Sequence, residues 1–183
     1  MDKKFYDQLS QKSLNNELLS DEECRLILSD DVDVLPLLNA AYSVRKTYWA
    51  NKVAVHVINN TQNGNCPEDC GYCAQAKTSD ADIADYAMKE EQEILDEAKR
   101  AYEGGAFRYC MVFSGRGPSN LRTERLANVI KKIKSEYPIQ ICLSAGLIDD
   151  AKAKVLKEAG LDRLNHNLNT SESNYPKICS THT

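Results

Sequence analysis

Residues 108–113 read RYCMVF and residues 139–144 read IQICLS, with a longer polar but periodic stretch between them. Both short segments are apolar and rich in β-favouring residues, as a buried strand requires. Between them, Arg122 to Ser135 carries Leu126, Val129, Ile130 and Ile133 at the spacing of one helical face. Strand, helix and strand in this order specify a right-handed βαβ unit and a parallel sheet. The same alternation extends in both directions. Upstream, Glu90 to Tyr102 places Ile94, Leu95 and Ala98 on one helical face and ends at Gly104-Gly105. Before it, Val53 to Asn59 is β-branched and partly alternating, a first strand. Downstream, Asp149 to Ala159 is helix-like and closes at Gly160, and Asp162 to His166 is a short fourth strand.

Four strands and three crossover helices make about half of an eightfold barrel. The predicted fold is α/β, a partial (β/α) TIM-type barrel of about four βα units preceded by N-terminal helices. In that lead-in, Ser20-Asp21-Glu22-Glu23 forms an N-cap and acidic first turn. Val34 to Trp49 carries Leu35, Leu37, Leu38, Ala41, Val44 and Tyr48 at helical spacing. The division expected is a helical lead-in over 1–50 and an incomplete barrel over 51–183.

The 183 residues are 42% hydrophobic and 27% charged, with net charge −4. That balance suits a globular protein and gives no basic excess for nucleic acid. No apolar run approaches the roughly 20 residues of a membrane helix. The first residues have no apolar core of a secretory signal. A cytoplasmic location, without membrane or nucleic-acid partners, is the expectation.

Seven cysteines are present, and Cys66, Cys70 and Cys73 crowd into one short segment, Asn63 to Gln75. In a reducing compartment such a cluster reads as metal-binding or catalytic rather than as disulfides. The spacing C-x3-C-x2-C lets three soft thiolates converge on one centre, which suits an iron–sulfur cluster or zinc. Three local ligands leave one iron of a cubane cluster open, whereas a structural zinc site is closed by four. A zinc loop completed by a distant residue such as His56 or Cys110 is the alternative. The loop follows the first strand, at the barrel edge where active sites lie. Asn165, Asn167 and Asn169 alternate along and beyond the fourth strand, so strand geometry turns all three the same way. Three amides facing a lumen need partners, because an unpaired buried polar group costs roughly 1–3 kcal/mol. His166 falls on the opposite phase and is read as a packing residue. The loop from Ser114 to Pro118 could offer backbone N–H groups and a charge to a carboxylate.

The triad matches the CxxxCxxC signature of the radical S-adenosylmethionine superfamily. The segment Gly64-Asn65-Cys66-Pro67-Glu68-Asp69-Cys70-Gly71-Tyr72-Cys73-Ala74-Gln75 resembles the biotin synthase form of that loop. Arg108 to Met111, Ile141 to Ser144 and Asn165 to Ser171 follow in that family's order, so the resemblance covers about 51–183. It implies a 4Fe–4S cluster on Cys66, Cys70 and Cys73, with S-adenosylmethionine chelated at the open iron. It implies Tyr72 against the adenine, with Ser114, Asn167 and Asn169 at the cofactor and Asn165 and Asn167 at dethiobiotin. The matching family cysteines make Cys110 and Cys142 ligands of an auxiliary cluster that supplies sulfur. The loop from Ser114 to Pro118 differs from the family's alanine- and tryptophan-containing loop, which leaves that cluster open between 2Fe–2S and a variant. The implied activity is radical conversion of dethiobiotin to biotin, with an electron donor such as flavodoxin or ferredoxin and a homodimer at full length. Asn169 replaces an Asp of some members and can still bond a ribose hydroxyl. Cys24 and Cys179 match no ligand position and are read as incidental.

The family's barrel has about twice as many strands, and further auxiliary ligands fall in the other half. The chain is therefore expected to be a fragment or truncated product that makes no biotin alone. The other readings are a related mutase or maturase, against which Cys110 and Cys142 speak, and a non-enzymatic zinc-binding module.

Overall fold

A computed structural model describes residues 2–182; Met1 and Thr183, the outer ends of the expected lead-in and barrel segments, lie outside the described residues. Two compact units divide between Val53 and Ala54. The first holds helices α1 (Lys3–Leu14), α2 (Asp21–Ile27) and α3 (Val34–Trp49). Ser20 and Glu23 form a reciprocal capping box at α2, each side chain bonding the other's backbone N–H. Tyr6, Leu9 and Ala40 are the buried centre, with Phe5, Ile27 and Leu37 packed around them. The Tyr6 hydroxyl accepts from the Asp33 N–H at 2.8 Å, fixing the entry to α3.

The second unit alternates β1 (His56–Gln62), α4 (Glu91–Glu103), β2 (Arg108–Phe113), α5 (Asn120–Glu136), β3 (Gln140–Ser144), α6 (Asp150–Glu158) and β4 (Arg163–Leu164). A 3₁₀ turn at Glu172–Asn174 then leads into the short α7 (Tyr175–Ile178). The four strands form one sheet in the order β1-β2-β3-β4, and every pairing is parallel. This is the partial (β/α) barrel that the alternation predicts.

Strand periodicity decides the core. In β2, Tyr109, Met111 and Phe113 are buried while Arg108, Cys110 and Val112 alternate onto the other face. Tyr109, Met111, Ile141 and Leu143 meet Ile94, Leu126, Ile130, Ile133 and Leu156, all fully buried, between sheet and helices. Burying each such side chain stabilises the fold by about 1.5–3 kcal/mol. The opposite face carries Ile58, Cys110 and Cys142 in one register row and Asn60, Val112 and Ser144 in the next.

Two boundaries differ from expectation. The first strand runs from His56 to Gln62 rather than from Val53 to Asn59. Its ladder begins where His56 pairs with Arg108, and Val53 stays exposed. The polar end belongs to the strand because its two most buried side chains are paired: the Asn59 amide donates to the Tyr109 hydroxyl, and the Thr61 hydroxyl reaches the Asn59 side-chain oxygen at 3.3 Å. The fourth strand shrinks to Arg163–Leu164, with a last N–H from Asn165 to the Leu143 carbonyl at 2.8 Å. Past that bond the ladder to β3 ends, and the chain leaves strand geometry.

Candidate functional site

The cysteine loop leaves the carboxyl end of β1. Asn63 and Tyr86 exchange backbone hydrogen bonds at 3.3 and 3.1 Å and close its neck. Just inside, Gly64 has φ +71°, and a Cβ there would stand 1.3 Å from an Asp85 carboxylate oxygen. Only glycine accepts both the left-handed backbone and that approach. The Gly64 N–H donates to the Gln75 side-chain oxygen at 3.0 Å. The Cys73 N–H donates to the Cys70 carbonyl at 3.0 Å, so the last two cysteines sit on one turn.

A cavity of about 190 Å³ opens at the carboxyl ends of the strands. The loop after β1 lines it with Cys66, Cys70, Tyr72 and Cys73. Ser114 and Arg116 follow β2, Ser144 and Gly146 end β3, and His166, Asn167 and Asn169 follow β4. The elements after all four strands therefore converge on it. The loops after β2 and β3 interlock: the Leu147 N–H donates to the Arg116 carbonyl at 2.7 Å, and a Cβ on Gly146 would lie 2.2 Å from that oxygen.

Each predicted residue has a definite place. Asn169 has φ +61°, and its amide donates to the Tyr72 hydroxyl at 2.5 Å and to the Asn167 carbonyl at 3.1 Å. The buried Ser114 hydroxyl accepts from the Gln62 amide at 3.1 Å. Cys110 and Cys142 are register partners in mid-sheet, outside this lining. Burial, with Cys142 alongside, pushes the Cys110 thiol up to about 11. His56 lies at the far end of β1 against Phe107 and Arg108, away from the triad.

Three expectations are corrected. The asparagines do not share a strand face, because β4 stops at Leu164; Asn165 is exposed and outside the lining. His166, read as packing, lines the cavity beside Asn167 for the same reason. Cys179, read as incidental, is 3% exposed with its Sγ 3.8 Å from that of Cys70. The spacing Cys179-x2-His182 was the one signal in the sequence that could have drawn attention to this corner.

What brings Cys179 there is Asp69. Its carboxylate accepts from the Ser180 N–H at 2.9 Å, the Thr181 N–H at 3.1 Å and both hydroxyls. Those bonds, the Ser180 hydroxyl first, hold the Asp69 carboxyl well below the usual carboxylate range. The Gly71 N–H donates to the Ile178 carbonyl at 2.8 Å in the same clasp. Burial raises the neighbouring Glu68 carboxyl, but bonds from Thr181 and His182 and the charge of Arg116 outweigh it, so the net direction is down. The Arg116 charge is thus engaged, 3.7 Å from Glu68.

Among the described residues, Cys70, Cys179 and His182 are the one set of cysteine, histidine or acidic donors all within 4.8 Å of one another. At least one pair within Cys66, Cys70 and Cys73 therefore stands farther apart. A single tetrahedral ion with sulfur at about 2.3 Å needs sulfurs about 3.8 Å apart. The wider triad suits a body of several irons rather than one ion.

The sequence matches the radical SAM superfamily over residues 63–183. It is 56% identical over 171 residues to the biotin synthase of Acaryochloris marina, covering 93% of this chain and 49% of that protein. It is 48% identical over 178 residues to the biotin synthase of Leptospira biflexa, covering 96% and 51%. The chain spans about half the length of these curated relatives. Among solved structures, methylornithine synthase aligns with TM-score 0.80 at 23% identity, over 96% of this chain and 52% of that one. The hydrogenase maturase HydG of Carboxydothermus hydrogenoformans aligns with TM-score 0.76 at 22% identity, over 97% and 41%. Both likenesses concern the fold. A superfamily match that runs through the cysteine loop and strands β2 to β4 carries membership with it: the chain belongs to the radical SAM superfamily.

Proposed function

We propose that this chain carries the cluster and S-adenosylmethionine site of a biotin synthase-like enzyme that converts dethiobiotin to biotin. The carrying observation is that Cys66, Cys70 and Cys73 line one cavity with Tyr72, Ser114, Asn167 and Asn169. Cys66, Cys70 and Cys73 would hold a 4Fe–4S cluster through three thiolates. When bound, such a cluster supplies the single electron that turns S-adenosylmethionine into a radical source. The chain's own residues do the positioning. Tyr72 and Asn169, already bonded to each other, offer an aromatic face and an amide to a nucleoside. Ser114 adds a hydroxyl at the end of β2, and Asn167 an amide for the substrate's polar end. Asn165 lies outside the lining, so the substrate assignment rests on Asn167. Cys110 and Cys142 would take an auxiliary cluster, of 2Fe–2S or variant type, deeper on the same face of the sheet. An electron donor of the flavodoxin or ferredoxin kind and a homodimer complete the reading.

The test is anaerobic reconstitution of the chain with iron and sulfide, followed by addition of S-adenosylmethionine. Expected are bound iron and acid-labile sulfide, and a cluster electron-resonance signal that changes when S-adenosylmethionine is added. Uptake of neither iron nor sulfide by a folded chain overturns the reading.

A further inference from the structure

The corner where the C-terminal segment meets the cysteine loop holds a donor set that shares only Cys70 with the cluster triad. Cys70 and Cys179 are both buried with Sγ atoms 3.8 Å apart. That separation equals the edge of a tetrahedral dithiolate, about 3.8 Å for metal–sulfur bonds of about 2.3 Å. His182 Nδ1 lies 3.3 Å from the Cys179 Sγ. Its other nitrogen, Nε2, is 3.2 Å from the Tyr175 hydroxyl, the kind of outer bond that fixes a ligating imidazole. Glu68 Oε2 is 2.5 Å from Nδ1 but lies outside the set of mutually close donors, so it holds the imidazole rather than a coordination position. The segment is pinned in place by four hydrogen bonds to Asp69. An incidental buried thiol has no need of a second thiol and an oriented imidazole at such distances.

We propose that Cys70, Cys179 and His182 form a second metal site, for a single thiophilic divalent cation of the zinc class. Because it takes Cys70, the site excludes the iron–sulfur cluster, a consequence that rests on the cluster reading above. Binding replaces the two thiol protons by two metal–sulfur bonds and releases them to solvent, while the His182 Nδ1 proton that faces Glu68 is exchanged for one on Nε2, toward the Tyr175 hydroxyl, so that Nδ1 is free to bind. Glu68 gives up its contact with His182, and water completes the coordination. The cation would hold the cluster-free loop against α7, and iron and sulfide would have to displace it.

The test is an anaerobic zinc titration of the cluster-free chain against a chromophoric chelator, with cobalt(II) as a spectroscopic stand-in. Cys179→Ser and His182→Gln should each weaken zinc by at least the roughly 10–100-fold that losing a mere supporting group costs. Cys66→Ser and Cys73→Ser should leave zinc affinity unchanged. Cobalt should show sulfur-to-metal charge transfer from two thiolates, falling to one in Cys179→Ser. His182→Gln, at a half-buried position, decides the matter if Cys179→Ser does not fold. Zinc affinity unmoved by Cys179→Ser and His182→Gln, or lost in Cys66→Ser, overturns the proposal. The titration contains no iron or sulfide, so its failure leaves the cluster reading standing. Failure of cluster uptake by the unmodified chain leaves the titration readable.

Discussion

Cys110 on β2 and Cys142 on β3 are direct register partners in a parallel ladder, on the sheet face opposite the hydrophobic core. Ile58 stands in the same row on β1. Neighbouring parallel strands run about 4.8 Å apart, so two thiols in one row are close enough to share a metal body. Burial and the partner thiol raise Cys110 to about 11, so its proton leaves readily only for a cation. Cys110→Ser and Cys142→Ser should each abolish any iron beyond that of the triad cluster while leaving the triad cluster intact. Iron and sulfide counts with Mössbauer spectra check this. Equal loss of both signals would mean that the substitutions act on folding instead.

The bond between Asn169 and Tyr72 joins the segment after β4 to the loop after β1 across the cavity rim. Asn169→Ala removes that bond and the amide that the proposed function assigns to the nucleoside. One hydrogen bond is worth about 0.5–1.5 kcal/mol net, so S-adenosylmethionine affinity should fall a few-fold to roughly tenfold. Tyr72→Phe keeps the ring and loses only the hydroxyl, so its effect should be smaller. Equilibrium binding to the reconstituted chain measures both.

Periodicity made most of this fold legible. The βα alternation from Arg108 to Ser144 is a local pattern, and its core positions, such as Tyr109, Met111 and Ile133, follow from period 2 and period 3.6. The cysteine loop was legible because its chemistry is contained in one short segment. What escaped depends on long-range partners. Asn59 and Thr61 belong to a strand because the Tyr109 hydroxyl answers Asn59. Asn165 leaves the site because β4 runs out of ladder, which no local composition announces. Cys179 reaches Cys70 because Asp69 catches Ser180 and Thr181 far along the chain. Near Cys179 in sequence only the spacing to His182 points to a site, and it does not name Cys70 as the partner.

That catch gives a prediction separate from any metal. Asp69→Ala removes the acceptor of two backbone N–H groups and two hydroxyls at once. The segment 178–182 should then detach locally while the barrel core stays folded. Hydrogen exchange should accelerate at Gly71, Ser180 and Thr181, with little change in β2 and α5. Unchanged protection at these amides would show that α7 packing, rather than Asp69, holds the segment.

Tyr109 ties stability to alkaline pH. Its side chain is fully buried, and its hydroxyl accepts from the Asn59 amide and donates to the Ile94 carbonyl at 3.2 Å. Burial raises the phenol above its ordinary value of about 10. The unfolded chain ionises this phenol near pH 10 while the folded chain keeps it neutral. Its contribution is therefore intact below about pH 10 and is lost as pH rises above that, because the unfolded state binds fewer protons. Tyr109→Phe should cost roughly 1–3 kcal/mol at neutral pH, since Asn59 loses its buried partner. Its urea midpoint should then fall less steeply than that of the unmodified chain once pH passes about 10. Parallel pH profiles of the two chains would show that the phenol carries no such linkage.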